Sequence, residues 1–217
     1  MPDTAHLVLF IGAGWLLNLT PGPDVLYIVT QGLKSGVRAG LVAALGIVSG
    51  CFVHVFAAAF GVGALLAASS TAFTVLKWVG AAYLVWMGVK ILWARSEPAP
   101  ALAPGVSADV AKTQGLWRVY QRGFLTNVLN PKVALFFLAF VPQFIAPDAP
   151  NKVAVFLGLG LLFNLNSLPI NFGYAWVAGR AAQRVGAVQR AMRWMDRVAG
   201  LMFIGFGLKL ALSDNPA

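Results

Sequence analysis

Between residues 39 and 76 the chain carries no Asp, Glu, Lys or Arg, and the same holds for residues 4–23 and 153–179. Each run is long enough to cross the hydrocarbon core of a bilayer as a helix, which takes about 20 residues. A soluble core cannot absorb them. Hydrophobic residues make up 59% of the chain and charged residues only 11%, against about half and a quarter in ordinary globular domains. The pattern predicts an all-α integral membrane protein whose apolar segments span the bilayer.

Six spans fit, at residues 4–30, 41–66, 72–93, 123–145, 153–178 and 193–212, and an even number puts both termini on one side. Between the third and fourth lies residues 95–121, where Glu97-Pro-Ala-Pro-Ala-Leu-Ala-Pro-Gly105 reads as an extended linker. The chain thus divides into a first three-helix unit over residues 1–94, a cytoplasmic Pro-rich linker over 95–121 and a second unit over 122–217. Met-Pro-Asp-Thr at the start offers no basic residue before the apolar run, so the first segment reads as a retained span and not as a cleavable signal peptide.

Lys and Arg gather on the cytoplasmic side of short loops. Lys34, Arg38, Arg95, Lys112, Arg118, Arg122, Arg180, Arg184, Arg190, Arg193 and Arg197 share one side, whereas only Lys152, Lys77 and Lys209 fall on the other. Both termini are therefore expected to be periplasmic. The net charge of +9 belongs to this topology and to anionic lipids at the cytoplasmic face. No nucleic acid is expected, because the basic residues lie between apolar runs instead of along one face with stacking aromatics.

The two units resemble each other. Lys77-Trp-Val-Gly-Ala-Ala-Tyr83, continuing to Gly88 and Lys90, parallels Arg197-Val-Ala-Gly-Leu-Met-Phe203, continuing to Gly207 and Lys209. Asn18-Leu-Thr-Pro-Gly-Pro-Asp24 parallels Asn127-Val-Leu-Asn-Pro-Lys132. Three spans per copy invert the second relative to the first, an arrangement typical of secondary transporters that bind substrate near the midplane.

Both motifs should break their helices. Pro23 lacks an N–H and Pro21 and Gly22 weaken the first span further, while Asn130 and Pro131 suit an N-cap and a first helical residue. Unpaired backbone in lipid costs several kcal/mol per group, so the breaks should be covered by protein or line a wet cavity. Inversion brings the amino ends of the two half-helices towards one another, and such ends favour a carboxylate or another anion. Asp24 and Lys132 follow the two prolines at equivalent positions, and intramembrane charges are functional candidates by default. They could form a static ion pair, or clamp a zwitterion with Lys132 on its carboxylate and Asp24 on its ammonium.

Other polar residues in the spans admit two roles each. His54 could relay protons or close an interhelical hydrogen bond. Asn164, Asn166 and Asn171 flank Pro169, and at least one is expected to line a cavity. The single cysteine, Cys51, excludes an intrachain disulfide and reads as a small buried hydrophobe. Trp78, Trp86, Trp93, Trp117 and Trp194 read as interfacial anchors or packing residues.

The motif Asn18–Asp24, followed by Gly32-Leu-Lys-Ser-Gly-Val-Arg-Ala-Gly40, resembles the amino-terminal signature of the LysE/RhtB amino-acid exporters. Gly123-Phe-Leu-Thr-Asn-Val-Leu-Asn-Pro-Lys132 resembles the second signature of that family, and Gly80-Ala-Ala-Tyr-Leu-Val-Trp-Met-Gly-Val-Lys90 its third-span pattern. The resemblance implies a bacterial inner-membrane exporter of amino acids or close derivatives, driven by a proton gradient or the membrane potential. Its motif residues here are Asn18, Pro21, Gly22, Pro23, Asp24, Asn127, Asn130, Pro131 and Lys132, with Thr20 between them, and substrate binding is expected of this set. Partners would be the amino-acid substrate, the coupling proton or potential, anionic lipid and, as one assembly open to it, a second copy in a homodimer. No cofactor is expected. A divalent-metal exporter is an alternative that two histidines, His6 and His54, and one cysteine supply with few soft ligands. An intramembrane enzyme would need a catalytic constellation that the sequence does not display.

Overall fold

The computed structural model describes residues 4–68, 70–93, 115–146, 149–181, 194, 197–198, 200–205, 207–208 and 211–212. Among them there are helices and turns and no strand. The helices are α1 (Thr4–Leu19), α2 (Pro23–Ala68), α3 (Ser70–Trp93), α4 (Leu116–Val128), α5 (Pro131–Leu135) and α6 (Lys152–Arg180). A π-helical turn (Phe136–Phe140) and a 3-10 turn (Val141–Phe144) continue α5. In the predicted sixth span every described residue from 194 to 212 is helical. The Pro-rich stretch 97–105 and Arg95, Lys112, Arg184, Arg190, Arg193 and Lys209 lie outside the described residues, as do the side chains of Lys77 and Lys90.

By length and composition, Lys152–Arg180 and the apolar helix within Pro23–Gly61, of which the part after Gly36 forms one helical arm, can each cross a membrane, and Leu116–Val128 with Pro131–Phe144 makes a third span if the pair, bent by 47°, is counted as one. The surface is that of a chain in lipid. All seven tryptophans are half or more exposed, with Trp93 at 82% and Trp194 at 69%, and they are accompanied by Phe60, Leu129 and Leu212. A water-soluble chain would bury most of this area.

α2 consists of two helical arms that follow one another without an intervening loop but differ in direction. At 1.5 Å per residue a straight helix would hold Asp24 and Cys51 about 40 Å apart, yet both line one cavity. Ile28 packs in the same cluster as Ala43, Ala44 and Ile47, and both Gly32 and Gly40 lie against Ala175. The reversal occurs at Gly36, the one non-helical residue of α2, with φ 81° and ψ 179°. That region of backbone space is open essentially to glycine alone. The separation expected between the first and second spans is therefore a one-residue turn between helical arms 23–35 and 37–68. Likewise α4 begins at Leu116, so helix reaches into the end of segment 95–121; its buried Val119, Gly123 and Asn127 lie on one face, four residues apart.

Packing directions follow from close backbone approaches. Gly46 lies against the carbonyl of Tyr120 and Gly50 against that of Phe124, so the second arm of α2 and α4 run parallel. Gly40 meets Ala175 while Gly160 meets Val55, making that arm antiparallel to α6. Gly88 meets Gly200 and Gly207 meets Ala81, so α3 is antiparallel to residues 200–207. Gly14 meets Phe163 and Tyr174 reaches Leu19, so α1 and α6 run parallel. Small residues at such crossings let backbones touch where lipid offers no hydrophobic drive for association.

The core is aromatic. Phe10, Phe136, Phe137, Phe140, Phe144, Phe156 and Phe163 form one buried cluster, with Phe136 stacked on Phe140 at 5.1 Å and tilted on Phe163 at 5.0 Å between ring centres. It lies directly beyond the break that opens α5.

Candidate functional site

The two helix breaks fall side by side. α1 ends at Leu19 and α2 opens at Pro23; α4 ends at Val128 and α5 opens at Pro131. Asn130 caps α5, its side-chain oxygen accepting the Lys132 N–H at 3.0 Å, with Pro131 at the first helical position. An unpaired donor at a helix start is satisfied this way at no cost to the ladder.

Each break is braced by the charged residue of the other. Asp24 Oδ2 accepts from Nδ2 of Asn127 at 2.9 Å and of Asn130 at 2.8 Å. Lys132 Nζ donates to the carbonyls of Leu17 and Thr20, each at 3.0 Å. Asp24 is 7% exposed and Lys132 6%, so both charges are buried. Lys132 thus sits at the carboxyl end of α1, where unpaired carbonyls carry partial negative charge. Tyr174 completes that end by donating its hydroxyl to the Leu19 carbonyl at 2.9 Å, and Thr20 closes on Leu16 with its N–H at 3.0 Å and its Oγ1 at 2.5 Å. The end of α4 is finished similarly: the Asn127 carbonyl accepts the Asn130 N–H at 2.8 Å and lies 2.9 Å from His54 Nε2. A carbonyl only accepts, so Nε2 carries the proton.

A narrow cavity of about 20 Å³ opens beside this junction, room for roughly one water molecule. Of the sequence-predicted residues, Asn18, Asp24, Asn127, Lys132, Asn164 and Asn171 line it. Thr20, Pro21, Gly22 and Asn130 shape the breaks without reaching its wall, and a Cβ on Gly22 would stand 3.1 Å from Lys132 Nζ. Pro23 and Pro131 act through the backbone, since both residues are exposed on the surface. His54 bonds to the break and is not on the wall. Asn166 ties α1 to α6 instead, accepting from Trp15 Nε1 and donating to the Ile11 carbonyl at 3.3 Å.

Two polar wall residues escaped sequence reasoning, Cys51 and Ser167. Ser167 had a legible signal, for Asn164, Ser167 and Asn171 recur at i, i+3 and i+7 on one face of α6. Cys51 had none, since a buried apolar-looking cysteine in a helix is the ordinary case.

The model of the LysE type translocator matches residues 15–214. The chain belongs to that family. The translocator is 34% identical over 196 residues to an uncharacterized membrane protein of Vibrio cholerae serotype O1, an alignment covering 90% of this chain and 91% of the relative. It is 33% identical over 196 residues to the homoserine/homoserine lactone efflux protein of Salmonella typhimurium, covering 90% and 91% respectively. With the leucine efflux protein of an Enterobacter species it shares 28% over 202 residues, 93% of each chain. No solved structure matches it. The chain is accordingly a membrane protein of apolar helices, and its segments Asn18 to Asp24 and Asn127 to Lys132 meet at the junction.

Proposed function

We propose that this translocator exports amino acids or close derivatives from the bacterial cytoplasm across the inner membrane, by alternating access powered by a proton gradient or the membrane potential. The observation that carries the reading is the junction itself: a buried carboxylate and a buried ammonium, joined across two helix breaks around a small polar cavity. Charges this deep in an apolar chain are costly even when partnered, and where they occur they mark binding or coupling sites. The substrate would be held by the residues of the two breaks, Asn18 to Asp24 and Asn127 to Lys132, together with Asn164 and Asn171. Since about 20 Å³ holds no amino acid, loading requires the cavity to widen, as alternating access does.

The architecture proposed with it is two inverted three-helix repeats, residues 1–94 and 122–217, joined by a cytoplasmic linker, with six spans and periplasmic termini. It is supported by the parallel course of α4 with the second arm of α2 and by the antiparallel course of α3 with residues 200–207. Inverted repeats of three spans require both directions. The exposed Lys34, Arg38, Arg118, Arg122 and Arg180 stand at one end of the bundle, where Gly179 packs on Val37.

The relatives' cargoes narrow the substrate class. Homoserine, its lactone and leucine share a primary amine beside a carbonyl, whereas the lactone has no free carboxylate. The test is efflux from vesicles containing the purified protein and loaded with a panel of labelled amino acids, with and without a pH gradient or a potential. Faster efflux of at least one of them than from protein-free vesicles, steepened by the gradient, is expected. Retention of the whole panel, with divalent cations released instead, would overturn the reading.

A further inference from the structure

Around the cavity three deeply buried side chains keep hydrogen-bonding atoms without a protein partner. They are Oδ1 of Asp24, Oδ1 of Asn127 and both ends of the Asn164 amide, in residues exposed by 7%, 2% and 2%. Of the neighbouring polar groups, Asn130 holds Asp24 and the Lys132 N–H, Lys132 Nζ holds two carbonyls, and Asn18 Nδ2 and Ser167 Oγ donate to the carbonyls of Gly14 and Asn164. The orientation of Asn127 is set by chemistry, because its nitrogen must face the Asp24 carboxylate and its oxygen must point away. Asn164 presents one acceptor and one donor whichever way it is turned.

The fully buried unmet atoms are thus three acceptor oxygens, one belonging to a carboxylate, and one amide donor, with the Asn171 amide beside them on the same wall. A carboxylate ligand would meet three acceptors and a negative charge. A bare metal cation would leave the Asn164 N–H₂ facing it. A primary ammonium next to a carbonyl answers the whole set, with three N–H donors and a positive charge for the oxygens and a carbonyl oxygen for the amide.

We infer that Asp24, Asn127 and Asn164 form a seat for the α-ammonium of the substrate, with the Asn164 amide donating to the adjoining carbonyl oxygen. Recognition at this seat reads the α-aminocarbonyl unit, not the negative charge of a carboxylate. Lys132 is then a brace for the end of α1 and not a carboxylate clamp. The inference rests on the export reading for the identity of the ligand, and the cavity of about 20 Å³ is the inner end of a site that widens to take the rest of the molecule.

The test uses full-length protein and a leucine series: L-leucine, its methyl ester, its amide, N-acetyl-leucine, 4-methylpentanoate and 3-methylbutylamine, with sodium and choline chloride as ionic controls. Binding is read by thermal stabilisation of the detergent-solubilised protein, and transport by competition against efflux from vesicles. A parallel series on homoserine and its lactone covers a preference for a polar side chain. The ester, amide and lactone are expected to bind within a few-fold of their parent amino acids. The acetylated and desamino compounds should lose about tenfold or more, the worth of a hydrogen bond to a charged group, and the simple amine should fall in between. Equal competition by 4-methylpentanoate, failure of the ester where leucine binds, or displacement of leucine by sodium would each overturn the seat.

Asn164→Leu supplies an independent arm. Among the described residues its amide has no side-chain neighbour to bond beyond the weakly polar Cys51 thiol, so the variant should fold and bind the ammonium compounds about tenfold or more weakly; unchanged affinity would count against the seat. If ammonium compounds bind but no amino acid leaves the vesicles, the seat stands and the export reading falls. If amino acids are exported with no preference for a free ammonium, the export reading stands and the seat falls.

Discussion

Lys132 occupies the first turn of α5, where its charge opposes the dipole of its own helix. It is accommodated because its ammonium reaches out of that helix to the carboxyl end of α1, on the Leu17 and Thr20 carbonyls. Asp24 has the converse placement, in the first turn of α2 where a negative charge is favoured, and takes two further amide donors from across the junction. Removing one member of a buried charged network typically costs about 3–5 kcal/mol, while removing both can be nearly neutral for folding. Asp24→Asn and Lys132→Met should therefore each lower folded yield or export, whereas the double substitution recovers yield without export. Yield is checked by size-exclusion chromatography of solubilised protein and export by the vesicle assay. A fully active double variant would show that neither charge serves transport, and two unaffected single variants would show that the network does not hold the junction. Both charges were visible in the sequence as intramembrane exceptions. That Asn127 and Asn130 would converge on Asp24 was not, since spacing along the chain carries no distance between breaks more than a hundred residues apart.

At the level of elements, the helix starts were written locally and the helix crossings were not. Asn130-Pro131 opens α5 as an N-cap followed by proline because those two residues settle the question by themselves. Gly36 and Gly50 look alike in the sequence but act differently. At Gly36 nothing lies within 4 Å of an added Cβ, yet φ is 81°. Gly36→Ala should thus cost about 1–3 kcal/mol through backbone strain alone, without any clash. At Gly50 the backbone is helical, and an added Cβ would lie 2.5 Å from the Phe124 carbonyl. Gly50→Val should force the second arm of α2 away from α4, with a loss at the upper end of the overpacking range, about 3 kcal/mol or more. Thermal unfolding of the two purified variants checks both, and tolerance of Gly50→Val would mean that the arms are not in backbone contact.

At the scale of the whole molecule, the exposed basic residues at one end of the bundle set an orientation that reporters can read. An alkaline phosphatase fusion after residue 217 should be active, and one within residues 95–121 inactive, if the termini are periplasmic and the linker cytoplasmic. The opposite pattern would reverse the topology. Large apolar side chains face outward from each of the long described helices, the seven tryptophans among them, so stability rests on close backbone packing and on the polar junction more than on hydrophobic burial.

The sequence by itself determined that the chain lives in a membrane, where its helices break, which two charges lie inside it and to which family it belongs. These are local or additive properties: an apolar run long enough for a bilayer, a missing N–H, a charge with no water near it. Only the tertiary structure decided that α2 doubles back on a single glycine, that the two breaks brace each other crosswise, and that Pro23 and Pro131 face outward while Cys51 and Ser167 line the cavity. Those outcomes depend on which faces of distant helices meet. Helical periodicity normally reveals the buried face, but in lipid both faces are apolar and the signal that would separate them disappears.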